Sequence, residues 1–200
     1  MKTIPICLLF VLTSLSSCRQ DKIEPVAFDK EAYPLAVGNW WRYKVTNLRE
    51  NVTDTLLLQI DLKTIRDGVT TYRCHLEQNG SIVDSAQMVL SNSELSYQGL
   101  NPNYSFLGEF KLKLPFHSGE TWEGGNFEGK TQTLFTPNYT VLGQRYDIYD
   151  IKQVVPSFNY HLNQNLQISK GIGIVSGYRD LFDSAHLFKH QYELMDYKLK

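Results

Sequence analysis

The sequence has little charge of either sign to spare. Lys and Arg number 20 against 21 Asp and Glu, a net charge of -1. Without a long-range positive field, a phosphate backbone has nothing to be drawn to, and nucleic acid is excluded as the expected partner. Glycine (13) and proline (7) are too scarce for collagen or a low-complexity tail. No repeat of about 20–50 residues recurs, which removes propellers and solenoids. The one apolar run, Ile4 to Leu15, is about a dozen residues long, against about 20 needed to span a bilayer as a helix. What is present is aromatic: 12 Tyr and 10 Phe exclude a disordered chain. A length of 200 residues fits one domain.

The N-terminus stands apart. Lys2 gives a positive start, and Ile4, Ile6, Cys7, Leu8, Leu9, Phe10, Val11, Leu12 and Leu15 form the apolar run. Ser16, Ser17 and Cys18 follow, and Arg19, Gln20, Asp21 and Lys22 end it. A charged start, an apolar stretch and a small-residue cleavage zone are the parts of an export signal.

Leu15, Ser16, Ser17 and Cys18 resemble the lipobox of bacterial lipoprotein signal peptides. The resemblance implies cleavage before Cys18, a diacylglycerol on its thiol and an acyl chain (palmitate or similar) on its new amine. Each buried lipid methylene contributes about 0.8 kcal/mol, so two chains hold a protein to a membrane. The alternative is an ordinary secretory peptide with a chance cysteine. With Cys7 removed and Cys18 lipidated, Cys74 remains alone, and no intramolecular disulfide forms. In enteric bacteria, Asp at the second mature position retains lipoproteins in the inner membrane. Arg19 stands here, so the resemblance implies the outer membrane, with the periplasmic or the outer face left open. The expected organisation is a removed signal at 1–17, a lipid-anchored tether at 18–34 and one β-rich domain at 35–200.

From Trp41 onward the apolar residues recur every second position. Trp41, Tyr43 and Val45 alternate with Arg42, Lys44 and Thr46; Leu56, Leu58, Ile60 and Leu62 lie on one parity; Tyr72, Cys74 and Leu76 on another. Asp67-Gly68 and Asn79-Gly80 are two-residue hairpin signals, because both central residues of a type I′ turn need positive φ. Later runs cover Ile82–Leu90, Leu95–Gln98, Phe106–Leu114, Thr131–Thr136 and Val141–Val155, with Pro115, Pro137 and Pro156 as stops, then Ile168–Ile174 and His190–Leu199. Only Asp180–Lys189 has a helical stripe. Short strands with turn signals predict an all-β, antiparallel meander. So large a sheet must curl or split to manage its edges, which predicts a curved sheet, a half-barrel or barrel, with a two-sheet sandwich as the alternative.

Three segments resemble lipoproteins of Bacteroidota: the opening Tyr33-Pro34-Leu35-Ala36-Val37-Gly38-Asn39-Trp40-Trp41-Arg42-Tyr43, the middle Leu114-Pro115-Phe116-His117-Ser118-Gly119-Glu120-Thr121-Trp122, and the late Lys170-Gly171-Ile172-Gly173-Ile174-Val175. They occur in the family's order, and Trp40 departs from its pattern. The resemblance implies fold and location rather than an activity. Pro34 and Gly38 are expected to shape an entry turn, with Trp41 plugging the end of the core.

Chemical motifs are sparse. Gly171-x-Gly173 lacks the third glycine of a dinucleotide fingerprint, since Ser176 stands there, and reads as a strand where backbones approach closely. His186 and His190, four apart, share a face on either helix or strand and are the candidates for a metal, with Asp180 or Asp183 as a third ligand. The set is incomplete, and solvent-facing histidines are the plainer reading. Asp147 and Asp150 point to opposite faces of a strand, unsuited to a paired acid and base. His75, His117 and His161 are isolated, and Cys74 reads as a small core residue. No catalytic residue, cofactor or metal is predicted. Tyr97, Tyr104, Phe106, Tyr139, Tyr146, Tyr149, Phe158 and Tyr160 either fill the core or line a groove for an apolar or glycan ligand.

The expected protein is a membrane-anchored envelope lipoprotein, held through lipid on Cys18, acting as a non-enzymatic binding or scaffold module for an envelope partner. The alternatives are a carrier of a lipid or other apolar ligand in a half-barrel cavity, and a hydrolase of surface glycans or peptides.

Overall fold

The computed structural model describes residues 29, 32–99, 110–123, 130–156, 160–183 and 187–200. Twelve strands account for nearly all of them: β1 (Trp40–Asn47), β2 (Val52–Arg66), β3 (Val69–Gln78), β4 (Ser81–Leu90), β5 (Glu94–Gly99), β6 (Phe110–Lys113), β7 (Thr121–Glu123), β8 (Lys130–Val141), β9 (Gln144–Pro156), β10 (Tyr160–Ser169), β11 (Gly173–Asp183) and β12 (Leu187–Lys198). All pair antiparallel in a single sheet of order β6-β5-β4-β3-β2-β1-β12-β11-β10-β9-β8-β7. Two six-strand meanders are thus sewn together where β1 meets β12, and the short strands β6 and β7 are the two edges. This joint, with Trp41 opposite Tyr197 and Tyr43 opposite Leu194, makes one layer rather than the sandwich held as the alternative.

The predicted alternation sets the inward face. Trp41, Tyr43 and Val45 of β1, Leu56, Leu58 and Ile60 of β2, Tyr72, Cys74 and Leu76 of β3, and Tyr192 and Leu194 of β12 all belong to one continuous core. The concave side closes over itself. Tyr43 Oη donates to the Ile174 carbonyl of β11 at 3.0 Å, and Trp41 Nε1 donates to the Ile172 carbonyl in the β10–β11 turn at 2.6 Å, both reaching past β12. From the β6–β7 connection, Phe116 packs edge-on against Tyr149 of β9 at 5.3 Å. Bulges in β2, β8 and β12 add the local twist that bends the sheet. Opposite Tyr192, Gly177 leaves room for the tyrosine ring to lie across β11.

The entry segment belongs to this core. Ala32 and Tyr33 are buried. The turn at Pro34–Asn39 forms as the sequence implied. Asn39 Nδ2 donates to the Pro34 carbonyl at 2.7 Å, Gly38 adopts φ +89, and Lys200 N donates to Asn39 Oδ1 at 2.9 Å. At Gly173 (φ +95) a side chain would press on the Tyr33 ring.

Two expectations are corrected. Asp180–Lys189 is not a helix: residues 180–183 continue β11 and residues 187–189 open β12, because each pairs across the ladder (Asp180 with Lys189, Leu181 with Phe188). Nor does Pro137 stop a strand. It sits inside β8 at a bulge, where Asn138 turns to φ +57 and its N–H donates to Asp147 Oδ1 at 3.2 Å. The turn comes later, at Leu142-Gly143, with φ of 49 and 78. The Asp67-Gly68 and Asn79-Gly80 hairpins form as expected.

Candidate functional site

The outward face of β10, β11 and β12 carries a cluster of polar side chains, three of them amides. Asn165 and Gln167 lie on β10, Ser176 and Tyr178 on β11, Gln191 and Glu193 on β12. Together with the tip of the β8–β9 hairpin, Tyr139 to Leu142, they line a groove of about 730 Å³. Asp150, from β9, organises its floor. Its Oδ1 accepts from Asn165 Nδ2 at 3.0 Å and its Oδ2 from Gln167 Nε2 at 3.4 Å, while Ser176 Oγ donates to Gln167 Oε1. On the groove wall, Tyr178 Oη donates to Asp180 Oδ2 at 3.0 Å. Burial and then that carboxylate push the Tyr178 hydroxyl up to about 12, so it stays a neutral donor. Amides donate and accept at once, so a wall of them suits a ligand dense in hydroxyls.

A second polar row crosses the inward face. Gln153, Gln164, Arg179, His190 and Asn47 stand in register on successive strands β9, β10, β11, β12 and β1. Gln164 is only 1% exposed, and its amide has no hydrogen-bond partner among the described residues. The histidine ring stacks on Phe188 at 5.8 Å. Burial, then the Arg179 guanidinium, lower the His190 pKa, against an opposite pull from Glu50. A neighbouring guanidinium repels any cation brought to the same ring.

The other predicted positions separate. Cys18, His186, Tyr104, Phe106 and Phe158 lie outside the described residues, as do the side chains of Asp183, Tyr160 and His161. Asp180, named as a third metal ligand, is engaged by Tyr178 and by Lys189, whose Nζ lies 3.8 Å from Oδ2. Among the described residues no group of three or more His, Cys, Asp or Glu could hold a metal ion. Tyr97 and Tyr149 fill the core, Tyr146 is half-buried with its hydroxyl 3.4 Å from that of Tyr197, and Tyr139 lies exposed at the groove. Cys74 is fully buried, and burial pushes its thiol up to about 12.

Sequence reasoning missed one pairing. His75 is not isolated: its Nδ1 lies 2.8 Å from both carboxylate oxygens of Asp61. The bulge between Ile60 and Leu62 puts Asp61 beside it, and no sequence spacing signals a bulge.

No protein-family model matches the chain, and no curated protein matches it. Among solved structures, one similar chain is described as a candidate exported protein with a YmcC-like fold, from Bacteroides fragilis. It is 12% identical, with a TM-score of 0.49 over 86% of this chain and 100% of that one. Another, described as a candidate lipoprotein from Parabacteroides distasonis, is also 12% identical, with a TM-score of 0.49 over 88% of this chain and 100% of that one.

Proposed function

We propose that this protein is an outer-membrane lipoprotein, tethered through Cys18, whose β domain is a non-enzymatic binding module with its ligand face on the groove of β10, β11 and β12. The observation that carries the binding role is a contrast between the two faces. Inside, Trp41, Tyr43, Tyr97, Tyr192 and Phe116 are each no more than 1% exposed, so the concave side is occupied by the protein's own rings. Outside, the groove of about 730 Å³ is open and its amides are held in place by Asp150. This favours a surface binder over a carrier with an internal cavity. Glu193 is the one formal charge among the groove-lining residues, and the Asp150 carboxylate beneath them is taken up by Asn165 and Gln167, which favours a neutral, hydroxyl-rich ligand such as an envelope glycan over a phosphate.

The reading is tested by screening the protein on an array of bacterial polysaccharides, beside Gln191→Ala and Tyr178→Ala variants with unchanged melting. Binding to a subset of glycans, lost in both variants, is expected. Glycan binding that survives both variants moves the site elsewhere, and no binding to any saccharide overturns the ligand class.

A further inference from the structure

On its β1 side, strand β2 runs past its partner. The last bonds on the β1 side of β2 are Gly38 N to the Ile60 carbonyl at 2.8 Å and Ile60 N to the Asn39 carbonyl at 3.0 Å. Asp61 to Arg66 continue beyond them, about 20 Å of strand at about 3.3 Å per residue. This hairpin end is both greasy and basic. Leu62 is 45% exposed, Ile65 68% and Val69 37%. Interleaved with them are the exposed cations Lys63, Arg66 and Arg73, against the carboxylates of Asp67 and of Asp61, which is held by His75.

The chain also enters at this end. The Ala32 carbonyl accepts from Gly171 N in the β10–β11 turn, and the C-terminus finishes beside Asn39. Lys170, Lys198 and Lys200 therefore share the end with the hairpin tip. From Cys18 to Ala32 there are 14 residue steps, a reach of at most about 46 Å at about 3.3 Å each. The opposite end also exposes apolar side chains (Leu48, Val52 and Ile82). There Glu50, Asp54 and Glu77 outnumber Arg49 and Lys189, and an anionic surface would repel them.

We infer that the Leu62–Arg73 hairpin rests in the headgroup region of the anchoring bilayer, with Ile65 dipping into the interface and Lys63, Arg66 and Arg73 on anionic headgroups. The inference rests on the proposed lipid anchor at Cys18 and deepens it. The lipid would then set the protein's distance from the membrane, and the hairpin its orientation. Apolar residues flanked by cations are the composition that seats a segment at an anionic interface.

The test uses the full lipidated protein, reconstituted in vesicles of phosphatidylethanolamine and phosphatidylglycerol, with an environment-sensitive fluorophore on Ile65→Cys or, at the opposite end, on Ser81→Cys. Buried Cys74 takes no label. Quenching by spin-labelled lipid several-fold stronger at 65 than at 81 is expected, weakened when Lys63, Arg66 and Arg73 are all changed to Glu. Equal, weak quenching at both sites in protein that still floats with the vesicles overturns the docking inference while leaving the anchor standing. Protein that carries no lipid and does not float with the vesicles overturns both.

Discussion

Replacing Gly177 with alanine should damage the fold through one ring. Tyr192 of β12 stands opposite Gly177 and its ring lies across β11. A methyl group at 177 would fall inside the contact radius of Tyr192 Cζ and Oη, and 2.6 Å from the Asn165 carbonyl oxygen. Non-bonded carbons rest at about 3.5–4.0 Å, so something must move. Tyr192 is in the core at 1% exposure, with no solvent to swing into, and the Asn165 carbonyl is backbone. Overpacking of this kind costs about 1–3 kcal/mol. Alanine recovers part of that, about 0.4–1 kcal/mol, by stiffening the unfolded chain. The expected net loss is about 1 kcal/mol, a fall in Tm of about 2–4 °C for a domain of this size. The assay is urea and thermal unfolding of the chain expressed without residues 1–18. A cycle with Tyr192→Leu isolates the cause: the two changes should couple by about 1 kcal/mol or more, because the leucine vacates the space the methyl needs. Gly80→Ala is the control. It also suffers, from a left-handed turn at φ +78, but nothing lies within 4 Å of its new methyl, and it should add independently to Tyr192→Leu. If Gly177→Ala and Tyr192→Leu also add independently, the ring does not rest on Gly177 and the packing argument fails.

Two further predictions concern titration. His190 is held neutral in the folded protein by burial and Arg179, below its ordinary value of 6.5. The unfolded chain therefore binds more protons as pH falls through about 6.5, and stability should decline from pH 7 toward pH 5. His190→Gln should flatten that slope in urea titrations at several pH values, and an unchanged slope would assign it to other groups. Cys74, with its thiol pushed up to about 12 and no exposed surface, should not react with a thiol reagent at pH 8 until the protein unfolds. Rapid labelling of the native chain would contradict its place in the core.

Much of the architecture was legible because a half-buried strand writes its burial into every second residue. Trp41, Tyr43, Leu58, Ile60, Cys74 and Leu76 could be assigned inward from parity alone, and Asn79-Gly80 from the φ its turn requires. The pairing of β1 with β12 was not legible, since no local pattern names a partner some 150 residues away. The turn at Leu142-Gly143 was hidden because leucine rarely takes positive φ, and Pro137 looked like a terminator because a bulge in β8 leaves no mark in the alternation. The groove was only half visible. Tyr139 was singled out among the aromatics, but Asn165, Gln167, Gln191 and Glu193 are ordinary outward residues of three strands. They gain meaning only when register sets them side by side and Asp150 ties two of them down.

The anchor is the claim on which the rest depends. Cells expressing the full chain and a Cys18→Ser variant, fed radiolabelled palmitate and fractionated, test it most directly. The account predicts label on the wild-type protein and its recovery with the outer membrane, with label and processing before position 18 both lost in the variant. A Cys18→Ser protein that is processed, labelled and sedimented like the wild type would contradict it.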